Sequence, residues 1–386
     1  MQKVTEKYKC TGCHACYNIC PVNSIRMEPD DEGFLYPSID EKTCINCGRC
    51  QMVCPVLKDY IGNDKGKAFA CINKDDDTRL QSSSGGIFSL IAKHVLGKNG
   101  VVFGAAFDDD FRVSHIEILS EDELYKLRGS KYLQSTIGCA YKKAECYLKQ
   151  GKLVLFSGTP CQISGLKSYL GKDYENLILQ DIICHGVPSP KVWRKYLEYR
   201  EKVACSSTRK ANFRYKKHGW NSYRILFEFL NDEEYEQIFS KDLFMRCFLS
   251  NLCLRHSCYN CHSKSLERES DITLADFWGV ENILPEMFDD KGTSLVIVNS
   301  NKGRDIFQKI SENMIYKEVD IMEAVKYNSS AYKSVDYPKN RDKFMKLVKR
   351  MDFDKALNKS IKASTINKII KKLKLFIRRF LRNVQK

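Results

Sequence analysis

Cysteine is the residue type whose number and spacing could do chemistry in this chain. There are 18 cysteines among 386 residues, and eight of them form a duplicated pattern near the N-terminus. The first run is Cys10, Cys13, Cys16 and Cys20, the second is Cys44, Cys47, Cys50 and Cys54, and a proline follows each run. Three thiolates at two-residue spacing can wrap one side of an iron–sulfur cubane from a single loop. The pattern therefore predicts two [4Fe–4S] clusters.

In runs of this kind the fourth cysteine ligates the other cluster. We expect one cluster to be held by Cys10, Cys13, Cys16 and Cys54, and the other by Cys20, Cys44, Cys47 and Cys50. Structural zinc also binds C-x2-C pairs, but it has no use for eight thiolates in a duplicated arrangement with both prolines. Two adjacent clusters carry single electrons and perform no substrate chemistry, so the rest of the chain must supply the acceptor.

Four further cysteines lie in contexts that suit a third site. Cys161 begins a predicted helix directly after a strand, and Cys184 ends another predicted strand. Ligands of open α/β sheets bind at the carboxyl ends of such strands. Cys258 and Cys261 form a C-x2-C pair in a loop. Four cysteines from three segments therefore make a candidate for a third cluster.

Two alternatives stay open for this third site. In one of them Cys247 or Cys253 replaces a member of the set. In the other, zinc is bound by Cys253, Cys258, Cys261 and either His256 or His262. The four cysteines that are left over are expected to be small, buried apolar residues; they are Cys71, Cys139, Cys146 and Cys205.

Short apolar runs alternate with helical patterns beyond residue 66. Strands are predicted at 67–72, 101–107, 153–156, 177–183 and 294–298, helices at 86–96, 162–170 and 191–203, and a β-rich stretch at 209–230. This alternation is typical of α/β architecture with some parallel pairing.

The basic excess of the chain is concentrated at its C-terminal end. The net charge is +15, and residues 355–386 contain 11 Lys or Arg and no Asp or Glu. Apolar residues recur there at three- and four-residue spacing, which predicts a basic amphipathic helix. The helix either docks on the body or lies on an anionic lipid surface. Nucleic acid is the least favoured partner, because the chain has no recognisable nucleic-acid-binding module.

Composition narrows the class of protein further. With 43% hydrophobic and 29% charged residues the chain is an ordinary globular protein and neither disordered nor collagen-like. The first ten residues contain no apolar export segment, and no run approaches the roughly 18 apolar residues needed to cross a bilayer. We expect a cytoplasmic protein, with the inner face of the membrane as the alternative if the tail binds lipid. In a reducing compartment so many cysteines indicate metal ligation and not disulfides.

Six short motifs follow one another in the body. They are SSSGGIF at 82–88, GSKY at 129–132, GTPCQ at 158–162, CHGVPSP at 184–190, CYNC at 258–261 and SDITLADFWG at 270–279. Together they resemble the family of β-subunits of coenzyme F420 (deazaflavin) hydrogenases and dehydrogenases over about residues 66–335. The resemblance implies a flavin, FAD in the first instance, and a [4Fe–4S] cluster on Cys161, Cys184, Cys258 and Cys261.

The flavin is expected to contact the first two of these motifs. The first places small side chains and free backbone N–H groups at a helix start, which suits a pyrophosphate; its residues are Ser83, Ser84, Gly85 and Gly86. From the residues alone this segment is equally an N-cap, and the resemblance favours phosphate. The second offers a cation and hydroxyls, with a plain turn as the alternative; its residues are Ser130, Lys131 and Tyr132. Residues 216–220 form either a loop over the substrate or a solvated basic turn.

The predicted fold class is α+β or α/β, with four consecutive regions. They are a ferredoxin-like 2[4Fe–4S] domain at 1–57, a flavin-binding region at 66–150, a region with the third cluster at 151–335 and a helical basic tail at 340–386. No Ser–His–Asp set or carboxylate pair indicates a hydrolase, and no catalytic residue is assigned.

The predicted function is an iron–sulfur flavoprotein oxidoreductase. Electrons from a donor such as ferredoxin would pass through the three clusters and FAD to a two-electron organic acceptor, either deazaflavin or another unsaturated or sugar-linked metabolite. The alternative function is an electron-transfer subunit that feeds a partner enzyme and has no substrate chemistry of its own.

Overall fold

The N-terminal module is a hairpin flanked by two short helices. The computed structural model describes residues 4–59, 62 and 65–361. The module contains α1 (Ala15–Ile19), β1 (Ile25–Pro29), β2 (Leu35–Ile39) and α2 (Arg49–Met52), and β1 pairs antiparallel with β2. Each helix carries the third cysteine of its run, so the sequence duplication is also a structural one.

The body contains the remaining strands. In chain order they are β3 (Lys67–Asn73), β4 (Val101–Phe107), β5 (Val113–Ile118), β6 (Val154–Ser157), β7 (Leu177–Ile182), β8 (Thr208–Tyr215), β9 (Arg224–Phe229), β10 (Glu234–Ile238), β11 (Ile272–Asp276), β12 (Ser294–Val298) and β13 (Met314–Val319). One sheet has the order β13-β3-β12-β11-β7-β6-β4-β5, and a smaller antiparallel sheet has the order β10-β9-β8. In the large sheet β4, β6, β7 and β11 run parallel, and the outer strands pair antiparallel. The carboxyl ends of the four parallel strands share one edge, where such sheets bind ligands.

Some helices of the body cover both faces of the large sheet, and others pack against the smaller sheet. In chain order they are α3 (Asp76–Gln81), α4 (Ile87–Leu96), α5 (Leu124–Leu127), α6 (Ala140–Lys149), α7 (Pro160–Leu170), α8 (Pro190–Ala204), α9 (Leu243–Leu249), α10 (Val280–Ile283), α11 (Asn301–Ile310), α12 (Ile321–Ala324), α13 (Arg341–Leu347) and α14 (Phe353–Ser360). Successive residues of β4 serve opposite faces, as a strand requires. Val102 packs with Ile91 of α4, whereas Phe103 packs with Leu166 of α7.

The mixed α/β class and most of the predicted elements are confirmed. Each predicted strand and helix matches an observed one to within about two residues, and the β-rich stretch at 209–230 holds β8 and β9.

The C-terminal region is described only as far as residue 361. In that part α13 and α14 pack apolar side chains, among them Phe344 and Leu357, into the core that α8 and the smaller sheet form. Residues 341–361 therefore contact the body closely. The basic amphipathic helix predicted beyond them lies outside the described residues. Within the described ranges, no helix has both the length and the apolar character required to span a membrane.

Candidate functional site

The eight N-terminal cysteines separate into the two crossed sets that their spacing predicts. Four of them surround one small cavity and form the first thiol set: Cys10, Cys13, Cys16 and Cys54. The other four surround a second cavity and form the second thiol set: Cys20, Cys44, Cys47 and Cys50. The first set is buried, whereas Cys47 of the second set is exposed.

The thiols of the first set are close enough to act on one another. Burial raises the pKa of Cys54 to about 12, and the neighbouring Cys13 raises it as well. Burial also raises the pKa of Cys16 well above its ordinary value, with Cys13 and Cys10 contributing. Four buried thiols around one cavity fit a cubane better than separate protonated groups, since thiolates are the ligands of such clusters.

Left-handed backbone turns shape both cysteine loops in the same way. Gly12 and Asn46 occupy matching positions in the two runs and have φ of 68° and 54°, and His14 and Gly48 match with φ of 63° and 70°. Such conformations are uncommon outside glycine. Their repetition at equivalent positions indicates that each loop is bent to surround a cavity, which the sequence spacing alone does not reveal.

The third thiol set consists of Cys161, Cys184, Cys258 and Cys261, and all four line one cavity. Cys161 is the second residue of α7, whose start is fixed by a capping box between Thr159 and Gln162. Cys184 follows the end of β7. Burial raises the pKa of Cys161 well above its ordinary value, and each of the other three thiols contributes.

Cations surround the third set. Arg255, Lys264 and Arg268 line its cavity, and the Lys264 ammonium donates to the main-chain oxygen of Cys184. Burial raises the pKa of Cys184, and Lys264 is the strongest opposing influence. Positive surroundings favour thiolates over thiols. The donor set and its charge environment therefore fit an anionic cluster.

The two alternative ligands Cys247 and Cys253 lie elsewhere. Both are fully buried in the apolar core beside α8, and neither lines the cavity of the third set. Among the described residues, no three His, Cys, Asp or Glu side chains converge closely enough to hold a single metal ion. His256 packs instead on Tyr337, with ring centroids 6.0 Å apart.

The expectation that the leftover cysteines are buried holds for one of the four. Cys71 is buried, whereas Cys139, Cys146 and Cys205 are exposed. The reason is their position on helices: Cys139 and Cys205 are the cap residues of α6 and α8, and Cys146 lies on the outer face of α6.

A larger cavity of about 300 Å³ lies at the carboxyl edge of the parallel strands. Six of the seven residues predicted to contact the flavin line it: Ser83, Ser84, Gly86, Ser130, Lys131 and Tyr132. Gly85 does not line the cavity. Its N–H donates to the Ser294 hydroxyl at 2.9 Å, and a Cβ at Gly85 would lie 2.4 Å from the Cys71 carbonyl oxygen. Gly85 is therefore glycine because of close packing behind the loop.

Hydrogen bonds hold the two predicted flavin motifs together. The Ser83 hydroxyl oxygen accepts from the Ser130 N–H at 2.7 Å and lies 2.8 Å from the Ser130 hydroxyl. Lys131 does not present its ammonium to the cavity, because its Nζ donates to the carbonyl oxygens of Lys126 and Arg128 at 2.8 and 3.0 Å. Burial lowers the pKa of Lys131 to about 7.

Residues 216–220 form a turn whose two ends are buried, whereas Lys217 and His218 at its tip are exposed as a basic turn would be. The Lys216 ammonium donates to the carbonyl oxygens of Arg79, Ser84 and Lys291 at 2.7 to 2.8 Å. Trp220 is fully buried and stacks on Trp278 with centroids 4.9 Å apart. The segment therefore braces the first flavin motif from behind, which its basic sequence did not indicate.

Two buried polar side chains in the large cavity were not singled out from the sequence. Gln180, at 1% exposure, donates from Nε2 to the Asp181 carbonyl oxygen, which leaves its Oε1 without a partner among the described residues. His115 lies 2.9 Å from the Ser157 carbonyl oxygen through Nε2 and 2.6 Å from the Ser135 hydroxyl through Nδ1. A carbonyl oxygen only accepts, so Nε2 carries a proton. Burial lowers the pKa of His115 to about 4, so the ring is neutral near pH 7.

The cavity of the third set has lining residues in common with the cavity of the first set and with the large cavity. Thr11 lines the cavities of both the first and the third set. Thr159 and Gln162 line both the cavity of the third set and the large cavity. Gly165 of α7 lies so close to the first set that a Cβ there would be 3.0 Å from the Cys13 sulfur. Cys16 and Cys54 of the first set share one apolar cluster with Cys20 and Cys50 of the second set. The order is therefore second set, first set, third set and large cavity.

Comparison with known proteins gives matches in two parts of the chain. Residues 151–324 match a family described as the C terminus of the beta subunit of coenzyme F420 hydrogenase/dehydrogenase. Residues 9–57 and 36–81 each match a 4Fe–4S dicluster domain.

Individual relatives match over limited lengths. One subunit of the F(420)H(2) dehydrogenase of Methanosarcina mazei is 23% identical over 182 residues, which are 44% of this chain and 51% of that protein. The ferredoxin 7Fe of Hydrogenibacillus schlegelii is 37% identical over 57 residues, 15% of this chain and 67% of that protein. A chain of the F420-reducing [NiFe] hydrogenase complex from Methanosarcina barkeri is similar in structure, with a TM-score of 0.46 and 16% identity over 78% of this chain and 92% of that chain. The chain spans about half the length of the first curated relatives it matches.

Proposed function

We propose that the chain is an iron–sulfur flavoprotein oxidoreductase. It belongs, through residues 151–324, to the family formed by the C-terminal region of the coenzyme F420 hydrogenase/dehydrogenase beta subunit, and it carries a 4Fe–4S dicluster domain at 9–57. Three [4Fe–4S] clusters on the three thiol sets would connect an electron donor such as ferredoxin to FAD in the large cavity. The two-electron acceptor is deazaflavin or another unsaturated or sugar-linked metabolite.

One observation carries this proposal: the first set, the third set and the large cavity are arranged in series with shared lining residues, and the second set adjoins the first in one apolar cluster. The exposed Cys47 marks the second set as the place where electrons enter, since a donor protein can approach it. The buried first set and the partly buried third set then lie between the second set and the large cavity. A series of clusters can transfer electrons only if a redox group at its end accepts them, and the large cavity is the place for that group.

The residues of the large cavity fit a flavin dinucleotide. Ser83, Ser84 and Gly86 place hydroxyls and a helix N-terminus at one side, where phosphate oxygens are favoured. The Oε1 of Gln180, which has no hydrogen-bond partner in the described part of the chain, is an acceptor that an N–H or O–H group of the ligand would satisfy. Leaving it unpaired costs about 1–3 kcal/mol. When bound, a flavin exchanges single electrons with clusters and electron pairs with organic acceptors.

The second candidate function is an electron-transfer subunit that feeds a partner enzyme. It is favoured by one observation: the relative from Methanosarcina mazei is itself named as a subunit. In that case the large cavity would still hold a redox group, but the acceptor would be supplied by another chain.

The proposed location is the cytoplasm. Contact with the inner face of an anionic membrane would come from the basic residues beyond 361, which lie outside the described part of the chain.

Anaerobic purification with iron, sulfide and flavin quantified tests the proposal. Three cubanes require about 12 iron atoms per chain, and one flavin should accompany them. About 8 iron atoms with one zinc would overturn the third cluster. A chain that holds its iron but no flavin would overturn the flavoprotein assignment.

A second measurement separates the enzyme from the electron-transfer subunit. Bound flavin should bleach with reduced ferredoxin or dithionite in either case. If the chain is the enzyme, an added deazaflavin or another organic acceptor then restores the oxidised flavin spectrum without a partner protein. Reoxidation only after a partner protein is added would establish the second candidate function.

A further inference from the structure

Arg255 lies between the first and third thiol sets and contacts residues of both. Its side chain is fully buried and lines the cavity of the third set, three residues before Cys258. The guanidinium reaches across to the N-terminal module, where Nε donates to the Cys10 carbonyl oxygen at 2.8 Å and Nη2 lies 3.6 Å from the Cys10 sulfur. Cys10 belongs to the first set.

The remaining contacts of Arg255 fix the guanidinium in place. Nη1 donates to the Gln134 side-chain oxygen and Nη2 to the Leu35 carbonyl oxygen, each at 2.9 Å. The centre of the group lies 4.1 Å from the centre of the Tyr36 ring. A Cβ at Gly12 would lie 2.9 Å from Nη1, so the cysteine loop approaches the guanidinium as closely as a glycine permits.

The backbone of Arg255 is equally constrained on the side of the third set. Its N–H donates to the Val187 carbonyl oxygen at 3.1 Å, and its carbonyl oxygen accepts from the Cys258 N–H at 3.0 Å. One residue thus joins the loop that carries Cys258 to the loop that carries Cys10.

The charge of Arg255 acts on both thiol sets. The Nη2 of Arg255 lies 3.6 Å from the sulfur of Cys10 in the first set, and its side chain lines the cavity of the third set. A guanidinium stays protonated at any accessible pH, so this positive charge is permanent. N–H···S bonds and nearby charge are among the factors that set the reduction potential of an iron–sulfur cluster.

We propose that Arg255 is a positioning residue that raises the reduction potentials of the two clusters it separates and holds the N-terminal module in register with the body for electron transfer between them. The inference rests on the proposed function, because it needs clusters on both sets. Reduction adds one electron, and no proton, to a cluster whose four thiolate ligands already make it anionic. A fixed cation stabilises the added negative charge.

A second buried arginine provides a matched control. Arg341 is also fully buried, and it anchors the same N-terminal module through both oxygens of the Glu32 carboxylate at 2.9 and 2.5 Å. Its other hydrogen bonds go to the Leu254 carbonyl oxygen and the Tyr259 hydroxyl, and none goes to a cysteine. Replacing Arg341 disturbs the docking of the N-terminal module but removes no hydrogen bond to a cysteine.

The test is a redox titration of the anaerobically purified full chain, followed by electron paramagnetic resonance. It compares Arg255→Gln, Arg255→Lys, Arg341→Gln and the unaltered chain, with iron measured in each. We expect Arg255→Gln to keep about 12 iron atoms per chain. The equilibrium constant for reduction of at least one cluster should fall tenfold, which lowers its reduction potential by about 59 mV for a one-electron couple. Arg255→Lys should shift it less, because the charge remains, and Arg341→Gln should leave the potentials unchanged.

Several outcomes would overturn this assignment. Unchanged potentials in a fully loaded Arg255→Gln chain would do so, and so would an equal shift in Arg341→Gln, which would reduce the effect to module docking. Loss of iron from both Arg255 variants would assign the residue a purely structural role. Fewer than about 12 iron atoms in the unaltered chain would instead contradict the proposed function, so the two failures are distinguishable.

Discussion

At the scale of single residues, the surroundings decide what each cysteine can do. Cys253 and Cys258 are five positions apart, yet Cys253 is buried in the apolar core and Cys258 lines the cavity of the third set. A cluster requires several thiolates that converge on one cavity, and a cysteine among apolar side chains has no such partners. Both residues are cysteines, but only Cys258 shares a cavity with other cysteines.

Serine replacements at Cys258 and Cys253 test this difference. Cys258→Ser should lower the iron content by about 4 atoms per chain, because it removes one ligand of a cubane. Cys253→Ser should leave iron unchanged, since Cys253 lines none of the three thiol-set cavities. Both contents are measured on anaerobically purified protein. An equal loss from the two variants would contradict the assignment of the third set.

His115 supports a prediction on pH. Burial lowers the pKa of this histidine to about 4, from an ordinary value near 6.5. The unfolded chain therefore takes up a proton between pH 6.5 and 4 that the folded chain does not, and stability falls as the pH falls through that window. From pH 7.5 to 5.5 the loss should be about 1.4 kcal/mol.

The measurement is thermal unfolding at the two pH values. In His115→Gln this contribution is absent, so the decrease in unfolding temperature between pH 7.5 and 5.5 should be smaller than in the unaltered chain. His218→Gln is the control, because His218 is about half exposed and forms an ion pair with Glu236 at the surface. The same pH dependence in His115→Gln as in the unaltered chain would argue against a buried neutral ring.

At the scale of elements, α7 connects the thiol sets. The helix begins at Pro160, which suits the first helical position because it lacks an N–H. That start places Cys161 at the carboxyl edge of the sheet, and Gly165 one turn later contacts the first set. The positions of both sets thus depend on how closely this one helix approaches the N-terminal module.

Gly165→Ala tests how closely α7 packs on the N-terminal module. A Cβ there would lie 2.8 Å from both the Cys13 Cβ and the Tyr141 hydroxyl, so the helix must move away from the module. We expect a loss of about 1–3 kcal/mol in unfolding free energy, as for other overpacked sites, seen as a lower unfolding temperature. Gly97→Ala is the control, because Gly97 has helical φ of −61° and alanine there has only the Lys93 carbonyl oxygen, at 3.2 Å, to accommodate. Equal stability of the two variants would show that α7 is not packed so tightly on the module.

At the scale of the whole molecule, the N-terminal module is fastened to the body by buried contacts. Arg255 and Arg341 reach it from the body, and the Asn18 amide donates to the Gly138 carbonyl oxygen at 2.9 Å. The Ser189 hydroxyl donates to the Glu32 carbonyl oxygen. A fixed module keeps the order of the redox sites constant, which the proposed electron path requires.

The last prediction addresses this docking. Glu32→Gln removes the nearer carboxylate of the fully buried Arg341, which keeps only the exposed Asp342 at 3.6 Å. Loss of this buried pairing should cost about 3 kcal/mol of unfolding free energy. Glu323→Gln is the matched control, because Glu323 pairs with Lys326 at 3.0 Å where both side chains are 54% exposed and such pairs contribute less than about 1 kcal/mol. Chemical unfolding measures both. Comparable small losses would mean that the Glu32 contact does not hold the module.

The sequence alone determined the parts that depend on local pattern. The spacing of the first eight cysteines sorted them into two crossed sets, because a short loop has few ways to surround a cubane, and apolar runs located β3, β4 and α4 to within two residues. Strand-end positions and a C-x2-C pair suggested the third set, whose members come from three segments, and the resemblance carried by short motifs implied the same four cysteines.

Only the tertiary structure decided which groups face one another. It turned Lys131 towards main-chain carbonyl oxygens, placed Lys216 behind the first flavin motif and left Gln180 with an unpaired oxygen in the large cavity. It also put Arg255 against Cys10, 245 positions away along the chain. The physical reason is that a side chain's partners are set by packing between distant segments, and a periodic pattern records only which face of its own element is buried.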